Sequence, residues 1–173
     1  MKDEDEAYAD AKGRTRWPGN EDLADKLKAL GDYLIIGGYD ESHAARYNQL
    51  AYRISRHPEP VRELHRDKRL REIDGVGDTI ADIIGELIES GTCAKWKNWA
   101  ENTPETVLEM RTIPGLGVKT IRALYREHGI DCLAALREAL ADGRLDGVKG
   151  LGPKTREAIR AAPRSQGAPP PDA

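Results

Sequence analysis

Apolar positions recur along the chain at helical spacing, and the pattern is punctuated by capping residues and glycines. Leu23, Leu27, Leu30 and Leu34 follow Asn20-Glu21-Asp22, where an amide side chain ahead of two acids suits a helix start. A first helix is predicted over about Glu21 to Ile35. Asp40 is placed to cap a second, which runs to about Arg56 before His57-Pro58 stops it. Beyond these, Ile80, Ile83, Ile84, Leu87 and Ile88 form one stripe, Ile121, Leu124 and Tyr125 another, Leu133, Leu136 and Leu140 a third, and Ala158 with Ile159 a fourth. Thr103-Pro104-Glu105 sets a hydroxyl ahead of a proline at a first helical position, and Asp131 stands where it can cap the Leu133 helix. No alternating pattern competes, so an all-α fold is expected.

The two ends lack this pattern. Residues 1–19 turn from acidic to basic before Pro18-Gly19, and the chain from Pro163 onward is small and polar, with Pro169-Pro170-Pro171 near its end. Neither stretch holds enough apolar surface to offset its ordering entropy, so both are expected to be mobile tails. That leaves residues 20–100 and 101–162 as two helical domains.

Composition supports helices over sheets: Phe is absent and aromatic residues make up only 5%. The formal charge of −3 argues at first against a nucleic-acid partner. Its distribution changes that reading, because Asp3, Glu4, Asp5, Glu6 and Asp10 face only Lys2 and Lys12 in the first 12 residues, and the rest is formally neutral. Local surpluses of base then appear, with Arg111, Lys119, Arg122 and Arg126 against Glu127 alone between Met110 and His128. Cys93 and Cys132 match no metal-ligand spacing and read as reduced structural thiols. The most apolar run, Leu34-Ile35-Ile36, is cut by Gly37-Gly38, so no bilayer span is expected and the chain reads as cytoplasmic, nucleoid-associated if prokaryotic.

A repeat organises the chain more strongly than its helices do. Ile73-Asp74-Gly75-Val76-Gly77, Ile113-Pro114-Gly115-Leu116-Gly117 and Val148-Lys149-Gly150-Leu151-Gly152 superpose, each running into a helical stripe. Two glycines one residue apart let a backbone approach another object, and they leave the first amides of the next helix aimed outward where the helix dipole favours an anion. Phosphates along a DNA strand supply such anions at regular spacing, and main-chain contact to them carries little base information. Candidate DNA-binding residues are therefore Gly75, Val76, Gly77 and Thr79 in the first hairpin. The second offers Gly115, Leu116, Gly117, Val118, Lys119, Thr120 and Arg122, and the third Gly150, Leu151, Gly152, Lys154, Thr155 and Arg156. The first copy is the least basic, with Asp78 where an anion would approach.

Arg111-Thr112-Ile113-Pro114-Gly115-Leu116-Gly117-Val118-Lys119-Thr120 and Leu70-Arg71-Glu72-Ile73-Asp74-Gly75-Val76-Gly77 resemble the helix-hairpin-helix motifs of family X DNA polymerases, related to DNA polymerase beta. With Ala45-Arg46-Tyr47-Asn48-Gln49-Leu50-Ala51 and Gly129-Ile130-Asp131-Cys132-Leu133, the resemblance covers about residues 20–162, in the order of that family's amino-terminal lyase-like domain and adjoining DNA-binding subdomain. It implies a monovalent cation, Na⁺ or K⁺, on the main-chain carbonyls of Arg71, Ile73 and Val76, and on those of Arg111, Ile113 and Leu116. It also implies DNA as partner, whether duplex, gapped or damaged, and a repair context with a further repair protein.

Two departures limit what carries over. The family's polymerase palm has no counterpart after the third hairpin, so these residues are not expected to transfer nucleotides. The position of the lyase lysine, six residues after the second hairpin glycine, is Ile83, and that of the phosphate-binding lysine on the second helix is His43. Ile83 fits a core position and His43 a surface one. An abasic-site lyase would need a relocated amine, for which Lys68, Lys95 and Lys97 lie nearest the first hairpin; a protein-interaction scaffold is a third reading. Trp96 and Trp99 are expected to pack in a core or interface, Trp17 to be exposed, and the acidic head to fold back over the hairpins as a DNA mimic.

Overall fold

A computed structural model of the chain describes residues 6–163, whose regular structure is helical apart from one short pair of strands. The expectations for residues 1–5 and 164–173, including Asp3, Glu4, Asp5 and the terminal prolines, lie outside the described residues. The chain divides into two compact units, one of residues up to 32 together with 40–101, the other of residues 33–39 together with 102 onward. No helix among the described residues is long and apolar enough to cross a membrane.

In the first unit, residues 6–17 are not the tail expected. β1 (Tyr8–Ala9) pairs antiparallel with β2 (Thr15–Arg16) around a turn in which Gly13 takes φ +72°. The Asp10 carboxylate closes that turn by accepting from the Lys12 and Arg14 amides at 2.9 and 3.0 Å and from the Arg14 and Arg16 side chains, and these donors hold its pKa well below the carboxylate range. Arg16 is buried and donates to the Ser55 carbonyl at 3.1 Å, while Trp17 donates from Nε1 to the Pro58 carbonyl at 2.9 Å. These hydrogen bonds, with one from the Tyr8 hydroxyl to the Glu21 carboxylate at 2.6 Å, hold the ribbon, so a search for apolar surface does not detect it.

α1 (Pro18–Ile36) starts earlier than expected because Pro18 suits a first helical position and Trp17 provides the carbonyl that Asn20 and Glu21 bond. Asn20 does not cap this helix. It is buried, accepts from the Val61 amide at 2.8 Å and donates to the Glu59 carbonyl at 3.0 Å, closing the start of α3 (Val61–Arg66), whose own cap position is the proline Pro60. α2 (Glu41–Ser55) is capped as expected by Asp40, which accepts from the His43 amide. Gly31 lets α2 lie close, since a Cβ there would stand 3.1 Å from Tyr47 Cβ. A 3₁₀ turn (Leu70–Glu72), α4 (Asp78–Ser90) and α5 (Ala94–Ala100) complete the unit over a core that includes Leu27, Leu30, Ile54, Leu64 and Ile84.

The second unit joins residues 33–39 to a 3₁₀ segment (Glu105–Thr112), α6 (Val118–His128), α7 (Leu133–Ala141) and α8 (Pro153–Ala161). Tyr33 is fully buried and its hydroxyl donates to the Thr103 carbonyl; burial pushes its pKa up to about 12. Arg126 donates to the Gly37 carbonyl at 2.8 Å, finishing the end of α1. Two expected caps are corrected. Thr103 is buried and makes no cap for the 3₁₀ segment, where Pro104 holds the cap position. At α7 the cap is Cys132, whose Sγ accepts from the Ala135 amide at 3.4 Å, and Glu109 accepts from Leu133 N–H, so Asp131 is not used.

Candidate functional site

The three glycine turns share one construction. The first glycine of each lies in the left-handed region, Gly75 at φ +89°, Gly115 at +80° and Gly150 at +87°, which a side chain would strain. The middle residue, Val76, Leu116 or Leu151, is buried and pins the turn to its unit. The second glycine differs. Gly77, Gly117 and Gly152 have φ of −98°, −77° and −70°, values open to any residue, and a Cβ on any of them would meet no atom within 4 Å. Neither backbone conformation nor packing inside the chain requires glycine there.

Each second glycine is the N-cap residue of the following helix, and glycine has no side chain with which to cap it. The first main-chain bonds of α4, α6 and α8 run from Ala81 to Gly77, Ile121 to Gly117 and Arg156 to Gly152. The amides of Asp78, Thr79 and Ile80, of Val118, Lys119 and Thr120, and of Lys154 and Thr155 lie ahead of those bonds. Pro153 has no amide, so the third turn offers one donor fewer.

Within the second unit, the second and third turns brace each other. A Cβ on Gly115 would stand 3.0 Å from Thr155 Oγ1, and one on Gly150 would collide with Thr120 Oγ1, each threonine being the third residue after its own second glycine. Thr155 is buried as a result, so its side chain does not face outward as expected, and only its main chain can serve an external ligand. Arg156 is likewise engaged within the chain. It donates from Nε to Leu151 O and from Nη2 to Leu145 O, both at 2.9 Å, and lies 3.3 Å from Asp146, holding the turn from within. Lys119 and Lys154 are exposed beside their turns.

The first turn has Ile80 where the others have the threonine, and α2 supplies its support. Arg53 donates to Asp74 O at 2.9 Å, and its Nη1 lies 2.6 Å from where a Gly75 Cβ would stand. Arg71 pairs with Asp78 at 3.1 Å. Arg46, Gln49, Arg53, Gly75, Gly77, Asp78 and Thr79 line an open cleft of about 470 Å³. Sequence reasoning missed Arg46 and Arg53, although their separation of seven residues places both on one face of α2. Ile83 is a core residue and His43 is exposed, 3.3 Å from Asp40. Trp96 and Trp99 are partly buried on α5, while Trp17 is not simply exposed but docked through its indole N–H.

The turn carbonyls suit a hard cation in the first two copies. Among the described residues none donates to the carbonyls of Val76 and Leu116, and those of Ile73 and Ile113 accept the Val76 and Leu116 amides at 3.1 and 3.2 Å, which leaves each a lone pair.

Comparison with known proteins matches residues 18–93 to the model described as "Helix-hairpin-helix domain" and residues 107–164 to that described as "SAM-like Helix-hairpin-helix tandem". The chain thus carries tandem helix-hairpin-helix domains in an all-α architecture. It is also similar to the DNA polymerase/3'-5' exonuclease PolX of Bacillus subtilis, 24% identical over 141 residues, which is 82% of this chain and 24% of that protein. The chain therefore spans about a quarter of the length of that relative.

Proposed function

We propose that this chain is a non-sequence-specific DNA-binding module that holds backbone phosphates on the starts of α4, α6 and α8 and acts in DNA repair on gapped, nicked or damaged duplex. The observation that carries the reading is the second glycine of each turn. Nothing within the chain needs glycine at positions 77, 117 or 152, yet all three are glycine, which leaves room for an object outside the chain. A phosphate fits that room because helix-start amides and the macrodipole meet it without any base contact. The likeness to a polymerase and exonuclease supports a nucleic-acid setting. Sodium or potassium on the carbonyls of Val76 and Leu116 would link turn to phosphate, with the Ile73, Ile113, Arg71 and Arg111 carbonyls completing each set.

Titration of short duplex, gapped, abasic and single-stranded DNA tests the reading. Affinity should fall steeply with salt, as phosphate contacts release counterions, and should drop when Gly115 and Gly117 are both replaced by bulkier residues. Unchanged binding by that double variant would overturn it.

One observation favours a second reading, an abasic-site lyase. Lys68 is the one described non-glycine residue at positive φ, +59°, and it lines an open cavity of about 740 Å³ with His65, Arg71, Asp82, Glu86 and Glu89 beside the first turn. An amine there could attack a sugar aldehyde with a carboxylate at hand. Borohydride trapping on abasic DNA decides it: a covalent adduct lost in Lys68→Ala supports the lyase, and no adduct excludes it.

A further inference from the structure

The three turns are alike in backbone but unlike in what satisfies their carbonyls. In the first two, the amide after the positive-φ glycine bonds back across the turn, Val76 to Ile73 at 3.1 Å and Leu116 to Ile113 at 3.2 Å. The third has no such bond among the described residues. Its turn is laced instead by Arg156, whose guanidinium spans Leu151 O and Leu145 O with Asp146 at its edge. Leu151 occupies the repeat position of Val76 and Leu116, whose carbonyls accept no hydrogen bond among the described residues. The residues matching Arg156 in the first two copies are Ala81 and Ile121, which carry no donor on the side chain.

We propose that Arg156 is the third hairpin's built-in cation: its guanidinium takes the place at the Leu151 carbonyl that a monovalent ion would take at Val76 and Leu116. The inference deepens the phosphate-binding reading and rests on it. A planar guanidinium with several donors can bridge two carbonyls that diverge, and unlike a bound ion it cannot exchange away. The third hairpin then keeps its shape whatever salt is present. Cation dependence belongs to the first two turns, and Arg156 is a positioning residue that does not itself contact phosphate.

The test uses the full chain and Arg156→Ala and Arg156→Lys variants, in potassium chloride and in N-methylglucamine chloride at equal ionic strength. Unfolding midpoint and affinity for a short duplex are read in parallel. Removing two carbonyl-directed bonds to a charged donor should weaken Arg156→Ala binding by about tenfold in N-methylglucamine. Potassium, or a low concentration of guanidinium chloride, should recover several-fold more of the loss than either does for the wild type. A loss of the same factor in every cation overturns the proposal, because a purely structural arginine would produce that. Should Arg156→Ala fail to fold, Arg156→Lys decides: its midpoint should rise more than the wild type's on exchange into potassium, and equal rises overturn the idea. If the wild type binds no DNA, the phosphate reading fails, while the midpoints still report whether Arg156 stands in for an ion.

Discussion

Replacing Gly117 with serine should make the protein more stable and a poorer DNA binder. Gly117 sits at the N-cap of α6 with φ −77° and ψ 158°, the extended conformation that capping residues adopt, and a Cβ there meets nothing. Serine restricts the unfolded chain, which contributes about 0.4–1 kcal/mol, and its hydroxyl as cap adds a few tenths. A net gain near 1 kcal/mol raises the melting temperature of a chain this size by about 2–4 °C. The same hydroxyl draws the amide of Lys119 or Thr120 to itself and stands where a phosphate would approach. A main-chain hydrogen bond to a charged group is worth about 1.5–3 kcal/mol, so affinity should fall about 10- to 100-fold. Fluorescence anisotropy with a labelled duplex, alongside a thermal melt, reads both effects. Gly115→Ala is the contrast. At φ +80°, with Thr155 Oγ1 3.0 Å from the new Cβ, it should lose about 1–2 kcal/mol of stability. If Gly117→Ser melts higher and binds as tightly as the wild type, the amides are not the site and the phosphate reading is wrong.

Other expectations follow from the hydrogen bonds. Asn20→Ala should cost about 1–3 kcal/mol in urea denaturation, because it leaves the Val61 amide and Glu59 carbonyl without their buried partner. The Asp40, Glu72 and Asp142 carboxyls are held below their ordinary values, by Ser42 and His43, by Arg69, and by the Arg144 amide respectively. Their folded pKa is depressed, so the stability they lend is present above about pH 4 and is lost as pH falls through the lower folded values. Melting temperature should therefore decline below pH 4, and less steeply in Asp40→Asn. Tyr33, raised to about 12 by burial, works at the other limit: its contribution holds below pH 10 and is lost as pH rises through 12. Ultraviolet titration should show one tyrosine ionising only with alkaline unfolding, and Tyr33→Phe should remove that step.

The helices and the glycine repeat were legible because both are local. Helical stripes such as Ile83, Ile84 and Leu87 point inward at the spacing of the helix itself, and a Gly-apolar-Gly turn specifies its own backbone. What the sequence hid depends on groups far apart in the chain. Asn20 reads as a cap for the helix it sits in, yet it serves one that begins 41 residues later. Arg156 reads as a phosphate contact, and Thr155 likewise, until the turns are brought together and both side chains prove to be engaged from behind. The β1–β2 ribbon has too little apolar surface to be noticed, and its order comes from hydrogen bonds that reach far along the chain, from Tyr8 to Glu21, from Arg16 to the Ser55 carbonyl and from Trp17 to the Pro58 carbonyl.

One construction appears three times, and its supports are not the same in every copy. A turn containing two glycines loses more conformational entropy on folding than any other, so it must be stiffened, and a residue can do so from only two sides. Stiffening from the outside, with a serine or aspartate cap, would use the amides. In each copy the stiffening leaves the cap position alone: Arg53 reaches the Asp74 carbonyl, Thr120 and Thr155 fill the space above each other's glycine, and Arg156 laces Leu151 to Leu145. The two arginines come from different elements, Arg53 from α2 and Arg156 from α8, while Thr120 and Thr155 are matched residues of the second and third copies. What they have in common is the face they leave untouched. A purely structural turn has no reason to keep that face clear at Gly77, Gly117 and Gly152 alike, when a cap there would stabilise it; a turn that must receive a phosphate does.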